Sequence, residues 1–205
     1  MEPKIRKANE RDLPQIFSVE KKSYTPQLQA KHDILRYRLN TFGIWVAEVD
    51  RKIVGFFTCV PANLSFPNVK AERILKNRKP YYKPWFEEYE SEIKPNTLFV
   101  TSTAVESSHQ HQGIGTALVR YSLELAKQLG LKYRASALRC QYAQFHRRTG
   151  KSIEEYLEEV RNGTIKDRFL RLYLKLGFVL DKPLPNYEPY KGSLNYNIFA
   201  YKKIN

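Results

Sequence analysis

Val105-Glu106-Ser107-Ser108-His109-Gln110-His111-Gln112-Gly113-Ile114-Gly115-Thr116 is the stretch on which the fold turns. Ahead of it, residues 97–105 run through β-branched, apolar and small hydroxyl side chains, which predicts a strand. Behind it, Ile114, Leu118, Tyr121, Leu125 and Leu129 recur at three- and four-residue steps. That spacing predicts an amphipathic helix over about 113–129, stopped by Gly130. A strand that passes into a helix through two glycines exposes amide N–H groups that have no partner inside the helix. The helix dipole adds partial positive charge there, and the missing Cβ atoms let a ligand approach the backbone. A pyrophosphate is the natural occupant of such a turn. It is not a P-loop, because no Gly-Lys-Ser/Thr follows, and Leu118 stands where a dinucleotide fingerprint needs Gly or Ala.

Outward from the turn, the chain alternates strands and helices. Residues 5–8 predict a strand, and Asn9 with Asp12 three residues on resembles a capping box ahead of a helix. A second helix is expected over about 31–39. Residues 43–49 and 52–60 predict a hairpin closed by Asp50-Arg51. Residues 61–95 interrupt the pattern with five prolines, several aromatic residues and the basic Lys70, Arg73, Lys76, Arg78, Lys79 and Lys83. A packed excursion and a wall of an acceptor pocket are both open for it. Downstream, strands are expected at 133–137, 179–180 and 195–202, and helices at 152–161 and 168–176. The pattern describes one mixed α/β domain over 1–205, with insertions at about 61–95 and 138–167.

The 205 residues carry 35 Lys+Arg against 21 Asp+Glu, a formal net charge of +14. That balance favours an anionic partner, whether a nucleotide cofactor, nucleic acid or a membrane surface. The two cysteines, Cys59 and Cys140, form no C-x-x-C pair. The charged N-terminus resembles no signal peptide, and no apolar run reaches the roughly 20 residues of a membrane span. A cytoplasmic protein with no membrane partner is expected. His109 and His111 stand two apart without further ligands at suitable spacing, so no metal is expected.

Gln110-His111-Gln112-Gly113-Ile114-Gly115 resembles the Q/R-x-x-G-x-G/A acyl-CoA motif of the GNAT N-acetyltransferase superfamily. Tyr173-Leu174-Lys175-Leu176-Gly177-Phe178 is similar to that family's Y-x-K-x-G-F segment. Residues 152–156, 162–164 and 184–187 look more loosely like GNAT domains associated with carbon–nitrogen hydrolases. The resemblance implies a mostly antiparallel sheet of six to seven strands flanked by helices, with strands four and five splayed for CoA. It implies an acetyl-CoA-dependent N-acetyltransferase whose amine acceptor attacks the thioester directly. The amides of Gln112, Gly113, Gly115 and Thr116 would cradle the pyrophosphate, within a binding segment that also includes Gln110, His111 and Ile114. Those of Ala104 and Val105 would pair with the pantetheine arm.

By the same resemblance Tyr173 stands at the position of the general acid, to protonate the departing thiolate. On the residues alone it also reads as a core tyrosine with its hydroxyl at the rim. The chain departs from the family where relatives carry Glu or Asp in the fourth strand, since Thr101, Ser102 and Thr103 occupy that stretch. Glu106, expected to face solvent, and His109, expected to pack, are the nearest titratable groups, with Glu106 the candidate base. Two alternatives stay open: a CoA-binding module without catalysis, and a basic nucleic-acid binder using the aromatic insertion.

Overall fold

A computed structural model describes residues 2–41, 43–66, 69 and 94–204. Most of the excursion at 61–95, including Tyr81, Tyr82, Trp85, Phe86, Tyr89 and the six basic residues, lies outside the described residues. In chain order the elements are β1 (Lys4–Lys7), α1 (Leu13–Ser23), α2 (His32–Thr41), β2 (Ile44–Val49), β3 (Lys52–Ala62) and β4 (Thr97–Val105). They continue with α3 (Ile114–Gln128), β5 (Tyr133–Arg139), α4 (Tyr142–Thr149), α5 (Ile153–Arg161), α6 (Leu170–Lys175), β6 (Val179–Pro185) and β7 (Tyr196–Lys203). The chain packs as two compact units, one of Met1–Ala62, Pro95–Lys132 and Ile204–Asn205, the other of Asn63–Lys94 and Tyr133–Lys203.

The first unit holds four strands in the order β1-β2-β3-β4, each antiparallel to its neighbour. Strand alternation sends successive side chains to opposite faces. Ile44, Val46 and Phe56 therefore pack with Leu13, Ile16, Val19, Ile34 and Leu35 of α1 and α2. Trp45, Ala47 and Phe57 go the other way, against Ile114, Leu118 and Leu125 of α3. The hairpin turn holds Asp50 and Arg51 at φ 49° and 64°, the two left-handed positions that a two-residue turn needs to match strand twist. The Asn9–Asp12 capping box forms as expected, but it closes a single turn at Glu10–Asp12 just before α1. There Arg6 donates to both Asp12 oxygens, at 2.7 and 2.9 Å, and this guanidinium holds the carboxyl below its usual range.

The second unit holds β5-β7-β6, again antiparallel. Strand β6 runs to Pro185, well beyond the two residues expected, and contains Pro183. It tolerates proline because it has only one neighbour in this unit, where a missing N–H breaks no ladder. Helix α4 was not expected. Helix α5, expected over 152–161, buries Ile153, Tyr156, Leu157 and Val160 behind a Ser152–Glu155 capping box. The buried carboxylate of Asp167 gathers the Gln141 N–H at 2.6 Å and the Tyr156 hydroxyl, and its other oxygen takes the N–H groups of Phe169 and Leu170. Burial pushes the neighbouring Cys140 thiol up to about 12. Among the described residues, no helix is long and apolar enough to cross a membrane.

Candidate functional site

Three sequence-marked pieces meet within the first unit: the end of β4, the loop 106–112 and the start of α3. Gly113 is the N-cap of α3, at φ 85°, and no side chain caps it. The intrahelical ladder opens with the Ala117 N–H on the Gly113 carbonyl at 2.9 Å. The amides of Gly113, Ile114, Gly115 and Thr116 precede that bond, as expected of a helix start. A Cβ on Gly113 would meet nothing within 4 Å, and one on Gly115 would only graze Val105 Cγ2 at 4.0 Å. Among the described residues, the space beside both glycines is therefore open. His111 adds a second left-handed residue, at φ 63°. Turns that pass between left- and right-handed residues aim successive N–H groups at one point, which suits an anion. A pyrophosphate fits this donor set.

Side chains of the motif hold the loop in place. Gln110 donates from Nε2 to the Val105 carbonyl at 3.0 Å, and Gln112 donates to the Ser108 carbonyl at 3.1 Å. Both, like His111 and Gly113, are exposed, whereas Ile114 is buried and anchors the helix against the sheet.

The register of β4 separates two residues that the resemblance groups together. Glu106 N–H donates to the Val54 carbonyl at 2.8 Å, and Ala104 lies opposite Phe56. Peptide groups alternate sides along a strand, so the Ala104 amide turns toward β3 and the Val105 amide turns away. Only Val105 can offer its N–H to an added strand, which corrects the pairing expected of Ala104. Gly55 lies across from Val105, and a Cβ there would come within 2.9 Å of the Ala104 carbonyl oxygen. A glycine inside an apolar strand run signals such a close approach, but this one was not singled out from the sequence.

The expected base is placed differently from its forecast. Glu106 is not out in solvent: its side chain is 19% exposed, and its carboxylate meets Lys22 Nζ at 2.6 Å. To act on an amine it must share that cation. His109 is half-buried in the short turn Ser107–His109, with Nδ1 2.9 Å from the Ser108 hydroxyl.

In place of a carboxylate, the middle of β4 carries hydroxyls bonded to neighbours. Thr101 Oγ1 meets Thr58 Oγ1 at 2.7 Å, and Ser102 Oγ meets the Tyr24 hydroxyl at 2.9 Å. Ser23 Oγ donates to the Val105 carbonyl at 3.2 Å. Ser23 and Tyr24 sit at the end of α1, about 80 positions from their partners, and no local pattern announces them.

Tyr173 belongs to the second unit, buried on α6 with its ring edge-on to Phe178 at 5.1 Å. The guanidinium of the fully buried Arg134 lies 5.5 Å from the Tyr173 ring and 5.0 Å from that of Phe178.

Comparison with known proteins shows the family and the fold. The model of the acetyltransferase (GNAT) family matches residues 13–150. An uncharacterized N-acetyltransferase of Bacillus subtilis (strain 168), YkwB, is 24% identical over 209 residues, covering 95% of this chain and 85% of that protein. Among solved structures, the GphF GNAT-like decarboxylase in complex with isobutyryl-CoA superposes with a TM-score of 0.79 at 19% identity, covering 98% and 100% of the two chains. The loading GNATL domain of CurA from Lyngbya majuscula gives 0.78 at 18% identity, covering 98% of each. At these identities the likeness is one of fold.

Proposed function

The chain belongs to the acetyltransferase (GNAT) family, and from that premise we propose that it transfers an acetyl group from acetyl-CoA to a primary amine by direct attack. In this proposal residues 1–205 act as a single acyltransferase domain. The observation that carries it is the open, uncapped start of α3 at Gly113, whose amide donors match a diphosphate. CoA contributes the activated thioester. The chain contributes the amides of Gly113, Gly115 and Thr116 for the pyrophosphate, and the outward amide of Val105 for the pantetheine arm. The amine nitrogen forms the new C–N bond as the C–S bond breaks, and the leaving thiolate takes up a proton. Tyr173 is assigned that donation by its place in the Tyr-x-Lys-x-Gly-Phe segment.

Hydroxyls in β4 cannot store a proton, so the amine must arrive neutral. For an alkylamine with a pKa near 10, kcat/KM should climb with pH toward that value. A side chain acting as base would instead flatten the profile near its own pKa, close to 6.5 for an imidazole. The deciding experiment is thiol release from acetyl-CoA across a panel of primary amines. Amine-dependent release supports the proposal, and CoA binding with no release from any amine contradicts it. Tyr173→Phe should lower kcat by about 10²-fold or more while leaving CoA affinity in place. An unchanged kcat makes Tyr173 a packing residue.

One observation favours a second reaction, loss of CO2 from a carboxyacyl-CoA. Decarboxylation needs no base to deprotonate an acceptor, and β4 carries Thr101, Ser102 and Thr103 where a carboxylate is absent. GphF, which shares the fold, is described as a GNAT-like decarboxylase. CO2 release from malonyl-CoA tests this reading directly.

A further inference from the structure

We infer that Ser102 is the hydrogen-bond acceptor for the N–H of the incoming amine, with Tyr24 as its positioning residue; the inference rests on the acyl-transfer reading above. It follows from counting hydrogens. A phenol has one hydrogen to give. Tyr24 gives it to the Thr103 carbonyl, at 2.9 Å, because a carbonyl can only accept. The 2.9 Å contact between Tyr24 and Ser102 must then run from Ser102 to the phenol oxygen. Ser102 has thereby committed its single hydrogen, and its oxygen has only lone pairs left to offer.

The neighbouring hydroxyl obeys the same logic. Thr101 gives its hydrogen to the Thr58 carbonyl at 3.2 Å, so the 2.7 Å contact between the two threonines is donated by Thr58. The middle of β4 is therefore a patch of acceptors. The register of β3 against β4 skips there, from Thr58 opposite Ser102 to Cys59 opposite Val100, so Thr101 is the extra residue of a β-bulge. Bulges re-aim side chains and recur beside active sites. Ser102 stands three residues from Val105, roughly 10 Å along the strand at 3.3 Å per residue. An arm that starts at the α3 turn and runs along β4 from Val105 brings its thioester end toward that patch.

An acceptor-only group discriminates between ligands. The N–H of an amine complements it, and the bond strengthens as the nitrogen becomes cationic during attack. A carboxylate offers no hydrogen to such a group. Ser102 keeps its own hydrogen throughout. The nitrogen loses its proton to solvent, and the thiolate gains one, so the products are an amide and CoA thiol.

The test measures acetyl-CoA thiol release with tyramine, spermidine and an alanyl tripeptide, alongside CoA binding by calorimetry. Ser102→Ala and Tyr24→Phe should each lower kcat/KM for the amine on the order of tenfold, the worth of one hydrogen bond made in the transition state. CoA affinity should stay within about twofold, and the double variant should be no worse than either single one. Ser102→Thr, which keeps the hydroxyl, should recover most of the loss. Should Tyr24→Phe fail to fold, Ser102→Ala and Ser102→Thr decide alone. Unchanged kcat/KM in Ser102→Ala or fully additive losses overturn the inference, whereas a wild type that binds CoA yet acetylates none of the three amines overturns the acyl-transfer reading on which it rests. A wild type that fails to bind CoA overturns the acyl-transfer reading itself.

Discussion

The turn at Gly113 and the hydroxyl patch in the middle of β4 lie in the same unit, and in the function proposed above they recognise their ligands by opposite means. The turn uses main-chain amides, which every residue carries, and asks of the sequence chiefly that Cβ atoms be missing at Gly113 and Gly115. The patch uses four side chains from three segments, and its chemistry depends on which hydroxyl gives its hydrogen to which neighbour. Backbone recognition tolerates change in most side chains around it. Side-chain recognition is lost with one atom. In that proposal the first serves the cosubstrate and the second the acceptor amine.

The sharpest break of this contrast is Gly113→Val. A β-branched residue at φ 85° is strained by about 1–2 kcal/mol, and its side chain would enter the space proposed for the anion. CoA affinity should fall by roughly 100-fold or more, measured by calorimetry, while the Tyr24–Ser102 pair remains intact. Unchanged affinity would remove the turn from the site.

Gly55→Val should act on both regions at once. Its Cβ would press on the Ala104 carbonyl oxygen at 2.9 Å and on Leu118 and Val105 side chains at 3.3 Å. Overpacking of this kind costs about 1–3 kcal/mol, enough to lower Tm by several degrees. CoA binding and amine turnover should weaken together. A variant with wild-type Tm and weakened CoA binding would assign Gly55 to the ligand rather than to packing.

The smallest effect lies far from both regions. The Asp12 carboxyl, held low by Arg6, stabilises the fold above the ordinary Asp pKa of about 3.9 and loses that contribution as pH falls through its depressed folded value. Asp12→Asn should therefore lower Tm at pH 7, and the gap to wild type should narrow on acidification toward pH 3. A gap that stays constant with pH would leave the ion pair without a share in stability.

The contrast between turn and patch also explains what could be read from the chain. Strand 97–105 and helix α3 were legible to within a residue or two, because long periodic runs are bounded there by Gly113 and Gly130. The turn between them was legible because Gly113 takes φ 85°, a conformation that favours glycine and so leaves a mark in the sequence. The patch was not. Tyr24 and Ser102 are separated by 78 positions, and nothing local marks a tyrosine after a helix as the partner of a serine in a strand. The ion pair of Glu106 with Lys22 spans 84 positions and was missed for the same reason, so Glu106 was expected in solvent. Helix α4 has eight residues and carries Gln144, His146, Arg147 and Arg148 among its apolar ones, too short for its period to register. Strand β6 runs past the expected 179–180 through Pro183 and Pro185, which argue against a central strand but are tolerated because β6 is not central in its unit.

The central claim is that the leading amides of α3 grip a diphosphate. Amide chemical-shift mapping of the 15N-labelled protein with CoA, against dephosphorylated pantetheine as control, tests it most directly. With CoA, the largest shifts should fall on Gly113, Gly115 and Thr116, and pantetheine should leave those three where they were. If CoA binds and these amides do not move, the turn is not the site.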